Sequence, residues 1–233
     1  MSFRVKASAI ALTAAACMLI APTAMASSRG PVQVTGKQLK SALLPTSDFV
    51  SGYGVLNETD SGRRLEHGVL FKLPSMSCQT FWTEIGIVHG FGDTAQAADL
   101  IGYKSGTPSV IETFTQSVYQ FASTHAASSF FAQLNAKYKS CRSTGESDTK
   151  GGTLRWTVHS RSSQHVGGHQ ALQLVEYLSD STVPGPPTTI DVLWTIDGTD
   201  MYMISTTLVT TTSSQPTQSS LTLKLIARVG ALR

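Results

Sequence analysis

The chain has 233 residues, of which 41% are hydrophobic and 14% are charged, and its formal net charge is +3. This length allows one domain or two, and the apolar content is sufficient for a buried core, so a largely disordered chain is not expected. Basic and acidic residues nearly balance and form no Lys/Arg block, which argues against nucleic acid and anionic lipid as partners.

The N-terminus has the organisation of a secretory signal peptide. Arg4 and Lys6 precede an apolar run over 7–20, and Ala24-Met25-Ala26 supplies the small residues that a signal peptidase accepts. We therefore expect cleavage after this motif and an extracellular mature chain. The alternative is a lipid anchor on Cys17, since the residues before it faintly resemble a lipobox.

Cleavage is expected to leave a single mature domain. The signal peptide spans 1–26, a flexible lead follows over 27–34, and one domain is expected over 35–233. Removing 1–26 takes away two basic residues and no acidic residue, which lowers the formal charge from +3 to +1. No second long apolar run follows, so no membrane span is predicted in the mature chain, which we expect to be a monomer.

The mature chain keeps two cysteines, Cys78 and Cys141. In an oxidising compartment the default expectation is that they pair. A disulfide between them would close a long loop of the chain, which in the chain-entropy model adds about 4 kcal/mol to the stability of the folded state. Two buried free thiols are the alternative, and a metal site is less favoured because no histidine cluster accompanies the pair.

The first predicted elements are short. Thr35 is expected to cap a helix that ends before Pro45, because the residue preceding a proline is pushed out of the α region. A second helix over 77–86 carries the first half-cystine. The segment over 94–103 is also expected to be a helix.

The central stretch over 109–142 combines two patterns. Residues 110–121 are rich in β-branched and aromatic side chains and alternate, which predicts a strand. Apolar residues then recur at helical spacing as far as Cys141, and Ser123 is a suitable N-cap. We therefore predict a strand followed directly by a helix.

Beyond this helix the pattern predicts an antiparallel meander. Alternation favours strands over 153–159, 169–178, 189–196 and 201–209, and Asp197-Gly198 is a strong hairpin signal. Strands joined in this way commonly have one dry face and one face available to water. A last helix with an apolar stripe is expected to begin near Pro216.

Catalytic and metal-binding motifs are mostly missing. The sequence has no G-x-S-x-G elbow, H-E-x-x-H, P-loop or dinucleotide-binding fingerprint. His165 and His169 have the spacing of a helical zinc pair, but Gly167-Gly168 between them argues against a helix. His89 and Asp93 lie in a glycine-flanked loop that we interpret as a turn. We predict no catalytic residue, metal ligand or cofactor.

A set of polar side chains is expected on the wet face of the sheet. Arg155, His159, Gln173 and Asp191 can line this face. If helices cover only the other face, this surface can form a cleft for a polar ligand. The alternative interpretation is a solvated face without a ligand.

Several features follow one another in a fixed order over about residues 38–232. The first three are a Leu-Leu-Pro opening (Leu43–Pro45), a Ser-Gly-Tyr turn (Ser51–Tyr53) and a helix that carries Cys78. The last three are a unit ending in Lys-Ser-Cys (Lys139–Cys141), a Trp-x-x-x-Gly hairpin (Trp194–Gly198) and an Ile-Ala-Arg-Val helix (Ile226–Val229). This order resembles the PknH-like extracellular sensor domain family of actinobacteria. Its members occur as the outer part of a receptor serine/threonine kinase and as stand-alone secreted or lipid-anchored proteins.

The resemblance implies a curved antiparallel sheet with helices packed mainly on one face, and a cleft for an unidentified extracellular ligand. It also implies a disulfide between Cys78 and Cys141. Other members carry a second disulfide in the later strands, for which this chain has no cysteines. No kinase domain is recognised in this sequence, so signalling would need a separate partner.

We therefore expect a secreted, non-enzymatic sensor-type domain that binds an extracellular small molecule or envelope component. One alternative is a secreted hydrolase, because a dispersed Ser/His/Asp triad is recognised by geometry and not by spacing. The other is an envelope protein-interaction module that uses the Asp197-Gly198 hairpin edge or the Pro184 loop. No ligand-contact residue is carried over from the family.

Overall fold

The computed structural model describes residues 33–49, 52–60, 73–84, 93–103, 112–147, 152–208 and 217–233. The predicted signal peptide over 1–26, the alternative anchor at Cys17 and the loop residue His89 lie outside these residues. None of the helices in the described ranges is long and apolar enough to span a membrane.

The strands form one antiparallel sheet in the order β1-β2-β3-β8-β7-β6-β5-β4. The strands are β1 (Tyr53–Asp60), β2 (Asp93–Tyr103), β3 (Glu112–Phe121), β4 (Ser143–Ser147), β5 (Thr153–Val166), β6 (His169–Asp180), β7 (Thr188–Asp197) and β8 (Asp200–Leu208). The helices are α1 (Gly36–Ala42), α2 (Cys78–Glu84), α3 (Thr124–Ser140) and α4 (Gln218–Gly230), with short 3₁₀ turns at Thr46–Asp48 and Leu73–Ser75. The predicted α+β class with an antiparallel sheet is confirmed.

Helix α3 follows β3 as the sequence predicts. The Ser123 hydroxyl accepts a hydrogen bond from the Ala126 backbone N–H at 3.1 Å, which satisfies one of the free donors of the first helical turn. Apolar side chains at helical spacing face the sheet and are buried: Ala127, Phe130, Phe131, Leu134 and Tyr138.

Helices pack on both faces of the sheet, so the expectation of helices mainly on one face is wrong. Met201 and Met203 of β8 lie in a core cluster with α2 and α3, whereas Tyr202 and Ile204 lie in a second cluster with α1 and α4. Alternate residues of a strand point to opposite faces, and the central strand is apolar on both. We call the two sides of the sheet the α3 face and the α4 face.

The segment predicted as a helix over 94–103 is strand β2. Its alanines favour a helix in isolation, but the segment pairs with β1 on one side and β3 on the other. Ala95, Ala97 and Ile101 are buried in the α4-face cluster, where α1 also packs. The small side chains therefore serve close packing beneath a helix, and tertiary pairing overrides local propensity.

A disulfide joins Cys78, the first residue of α2, to Cys141, which caps α3, with an S–S distance of 2.01 Å and a Cα–Cα distance of 5.2 Å. The Trp82 indole N–H of α2 donates to the Cys141 carbonyl oxygen at 3.2 Å. Phe81 and Trp82 also make edge-to-face contacts with Tyr138. The structure thus contains the predicted disulfide, and it fixes α2 against the end of α3.

The two ends of the domain meet at one cross-strand pair, Gln120 of β3 and Asp200 of β8. The backbone N–H of Val34 donates to Gln120 Oε1 at 2.8 Å, so the predicted lead over 27–34 is already packed at its last residue. The Arg233 guanidinium forms an ion pair with Asp200, whose side chain is 1% exposed. Both terminal segments therefore lie on the α4 face.

Candidate functional site

Three of the four sequence-predicted polar residues share the α4 face by strand register. Gln173 of β6 pairs with Leu193 of β7, and Asp191 lies two residues before Leu193 on the same side. Arg155 of β5 pairs with Ser179, which is in phase with Gln173 along β6. Partners in an antiparallel pair point to the same face, so these side chains occupy one surface.

His159 lies on the same surface, next to a β-bulge. Alternation from Arg155 already places His159 on this face, and the pairing of β5 with β6 then shifts by one residue between Val158 and Ser160, which changes the face of the positions that follow. The His159 ring stacks on the Tyr177 ring with centroids 4.6 Å apart and planes inclined by 27°. We call the surface formed by Arg155, His159, Gln173, Tyr177 and Asp191 the polar face.

A chain of amide side chains crosses the border between the polar face and α4. Gln164 Nε2 donates to Gln173 Oε1 at 3.3 Å, and Gln173 Nε2 donates to Gln218 Oε1 at 3.0 Å. Gln218, the first residue of α4, donates in turn to the Asp191 carbonyl oxygen at 2.7 Å. Each amide is thereby held in one orientation, with further donor and acceptor capacity left.

The polar face is open to solvent at one end and half-buried at the other. Arg155 and His159 are exposed, whereas Gln173, Tyr177 and Asp191 are intermediate. Burial raises the pKa of Asp191 above its ordinary value. The surface therefore offers hydrogen-bonding groups and an aromatic pair, with the Arg155 guanidinium at its exposed end and the Asp191 carboxyl at its half-buried end.

Sequence reasoning missed three members of this arrangement: Tyr177, Gln164 and Gln218. Tyr177 was detectable, because it alternates in phase with Gln173 along the predicted strand. Gln164 was not, because it reaches the α4 face only through the one-residue shift at the bulge. Gln218 depends on where α4 starts relative to the sheet.

The two histidines with zinc-like spacing do not converge. Gly167 and Gly168 have φ values of 58° and 88° and turn β5 into β6. Val166 pairs with His169, so His165 points to the opposite face from His169. His169 Nδ1 lies 3.4 Å from Asp197 Oδ1. Within the described ranges, no group of three His, Cys, Asp or Glu side chains is arranged to hold a metal ion.

The Asp197-Gly198 hairpin and the Pro184 loop, the two surfaces predicted for a protein partner, differ in what they expose. The Asp197-Gly198 hairpin is present, but its strands β7 and β8 are central in the sheet, so it presents a turn and no free strand edge. The Pro184 loop borders a cavity of about 270 Å³. The cavity has mainly apolar walls, including Leu154, Leu178, Val183, Pro186 and Pro187.

Comparison with known proteins gives one family and one fold. The family model described as the PknH-like extracellular domain matches residues 34–196. The crystal structure of the extracellular domain of PknH from Mycobacterium tuberculosis aligns with a TM-score of 0.59 at 13% identity, over 85% of this chain and 97% of that chain. At this identity the structural likeness concerns the fold alone. No curated protein matches the chain.

Proposed function

Because the chain belongs to the PknH-like extracellular domain family, we propose that it is a sensor-type domain that binds a ligand outside the cell through the polar face and has no catalytic activity. The observation that carries this proposal is the contrast between the polar face and the rest of the sheet. Elsewhere the central strands are buried under helices on both sides. At the polar face, Arg155 and His159 are exposed.

The proposal places the ligand beside the start of α4. Among the described residues, Gln218 reaches the border of the polar face and contacts Gln173 and the Asp191 backbone. The helix therefore forms one wall, and Arg155 and His159 beyond it stay exposed among the described residues. A few fixed hydrogen-bonding groups beside such a wall are typical of the polar part of a small-molecule site.

The chemistry of the polar face favours a polar ligand of low charge. Amide groups present donors and acceptors together, which suits hydroxyl or amide groups on the ligand. The stacked rings of His159 and Tyr177 add an apolar surface beside them. Arg155 at the exposed end adds one positive group for an acceptor or an anion.

The first experiment is native mass spectrometry of the protein exported by an actinobacterial host, compared with the same sample after denaturation. A discrete extra mass that is lost on denaturation is expected, and its fragmentation identifies the ligand class. The same spectra report the signal cleavage site. A ligand-free spectrum would contradict a retained ligand and would favour the protein-interaction alternative.

Two variants of one strand then locate the site. Gln173→Ala removes the centre of the amide chain and is expected to weaken binding of the co-purified compound about tenfold, the effect of roughly 1.4 kcal/mol. Gln170→Ala is the matched control, because Gln170 lies on the same strand but pairs with Ile196 of the α3-face cluster. Equal affinities of the two variants, measured by titration calorimetry, would place the ligand elsewhere.

A further inference from the structure

Three polar side chains meet in the interior beneath α3, on the side of the sheet opposite the polar face. Glu176 of β6 is 5% exposed, Trp194 of β7 is 1% exposed and Tyr138 of α3 is 2% exposed. The Tyr138 hydroxyl lies beside both the Glu176 carboxyl and the Trp194 indole, but the indole N–H makes no hydrogen bond of ordinary geometry with it. Three elements therefore bring hydrogen-bonding groups to one buried place.

Two buried atoms in this place lack a hydrogen bond of ordinary geometry. Glu176 Oε1 and Trp194 Nε1 make no hydrogen bond, although buried polar atoms in folded proteins almost always have one. The indole N–H can only donate, so it needs an acceptor. The other buried indole shows the usual solution, since Trp82 Nε1 donates to the Cys141 carbonyl oxygen.

The surroundings favour a neutral occupant. The cross-strand neighbours of Glu176 are Val158 in β5 and Ile190 in β7, and Tyr138 is the titratable group that faces it from α3. Burial raises the pKa of Glu176 to about 8, so its carboxyl group is mostly protonated at neutral pH. A metal ion does not fit, because Trp194 presents an N–H donor and no ligand atom.

We propose that Glu176, Trp194 and Tyr138 form an internal binding site for one small neutral hydrogen-bonding molecule, which is water in the native protein. The molecule accepts from Trp194 Nε1, donates to Glu176 Oε1 and makes a third bond with the Tyr138 hydroxyl. Buried waters typically make about three such bonds and resist removal. The bound molecule thereby links α3 to strands β6 and β7.

The test is detection of this water at the indole N–H groups of the full mature chain. In the ¹⁵N-labelled protein, a direct dipolar cross-peak with long-lived water is expected at Trp194 Nε1–H. None is expected at Trp82 Nε1–H, which is also buried but donates to the Cys141 carbonyl oxygen. Trp194→Phe assigns the signal by its loss. A solvent-protected Trp194 indole without a water cross-peak would overturn the proposal and assign its bond to Tyr138.

Variants separate a bound water from a relayed signal. In Tyr138→Phe the cross-peak is expected to persist, because two partners remain, and its loss would show that the tyrosine hydroxyl was the source and overturn the proposal. Glu176→Gln keeps an acceptor and is expected to keep the cross-peak, whereas Glu176→Leu is expected to lose it. Persistence in Glu176→Leu would remove Glu176 from the site and contradict the proposal as stated. The Trp194 and Trp82 comparison in the unmodified protein stands even if the leucine variant does not fold.

Discussion

One buried carboxyl group, that of Glu176, links the stability of the domain to pH. Burial raises its folded-state pKa from 4.5 to about 8. The folded state therefore holds the proton more tightly than the unfolded state, and the protonated carboxyl group contributes to the stability of the fold. This contribution to stability is fully present below about pH 4.5 and is lost as pH rises through 8. The sequence held a signal for it, since Glu176 alternates in phase with Leu172 and Leu174 of the core.

Replacing this carboxyl with an amide is expected to flatten the pH dependence. Glu176→Gln cannot ionise, so between pH 5 and pH 9 the wild-type protein is expected to lose roughly 4 kcal/mol more stability than the variant. Urea denaturation at several pH values measures the difference.

The comparison of the two proteins isolates Glu176 from other buried acids. Burial also raises the pKa of Asp99 to about 7, but Asp99 is present in both proteins and its contribution cancels. Parallel stability curves for the wild type and Glu176→Gln would show that the carboxyl has an ordinary pKa when folded.

At the scale of the element, the bulge in β5 decides which side chains reach the polar face. Without the inserted residue, strict alternation would place Arg161 beside Arg155 and turn Gln164 to the other side. With it, Arg161 pairs with Leu174 on the α3 face and its guanidinium donates to Asn135 of α3. Alternation in the sequence predicted the face of all four polar residues correctly, His159 included, but it cannot anticipate an inserted residue, which changes the face of every later position in the strand.

Local capping was more predictable than strand identity. Ser123 and the apolar spacing after it define α3 within the chain itself, whereas β2 becomes a strand through neighbours that are distant in sequence. An N-cap serine typically contributes about 1 kcal/mol.

The cap of α3 can be tested with two serines of the same segment. Ser123→Ala is expected to lower the free energy of unfolding by about 1 kcal/mol, because the Ala126 N–H loses its acceptor. Ser128→Ala, at an exposed position inside α3, is expected to be neutral or slightly stabilising by helix propensity. Denaturant midpoints with unchanged slopes measure both, and equal effects would contradict the capping role.

At the scale of the whole molecule, the sheet is a central layer with one helical layer on each side. The hairpin signals of the later chain predicted the neighbours β5-β6-β7-β8, which follow one another in sequence. They did not predict that β3 lies beside β8, because that pairing joins distant parts of the chain. This pairing places β3 and β8 inside the sheet, where helices cover both faces.

The Cys78–Cys141 bond is expected to be a major contribution to the stability of this layered structure. Reduction should lower the free energy of unfolding by about 4 kcal/mol, as expected for a closed loop of this length. Denaturation with and without reductant measures the effect in the wild type. In the double variant Cys78→Ala/Cys141→Ala, reductant is expected to have no effect on stability. If reductant destabilised this variant as much as the wild type, its effect would not come from the disulfide.

The meeting of Val34 and Arg233 at the Gln120–Asp200 pair has a topological consequence. The described chain leaves and returns to nearly the same place on the sheet, so its path is close to a closed ring. Joining such ends by a short linker costs little chain entropy. A circularly permuted chain could therefore have its new termini in one of the loops. The Pro184 loop, far along the chain from both ends, is then a natural place for new termini, with the layered core left intact.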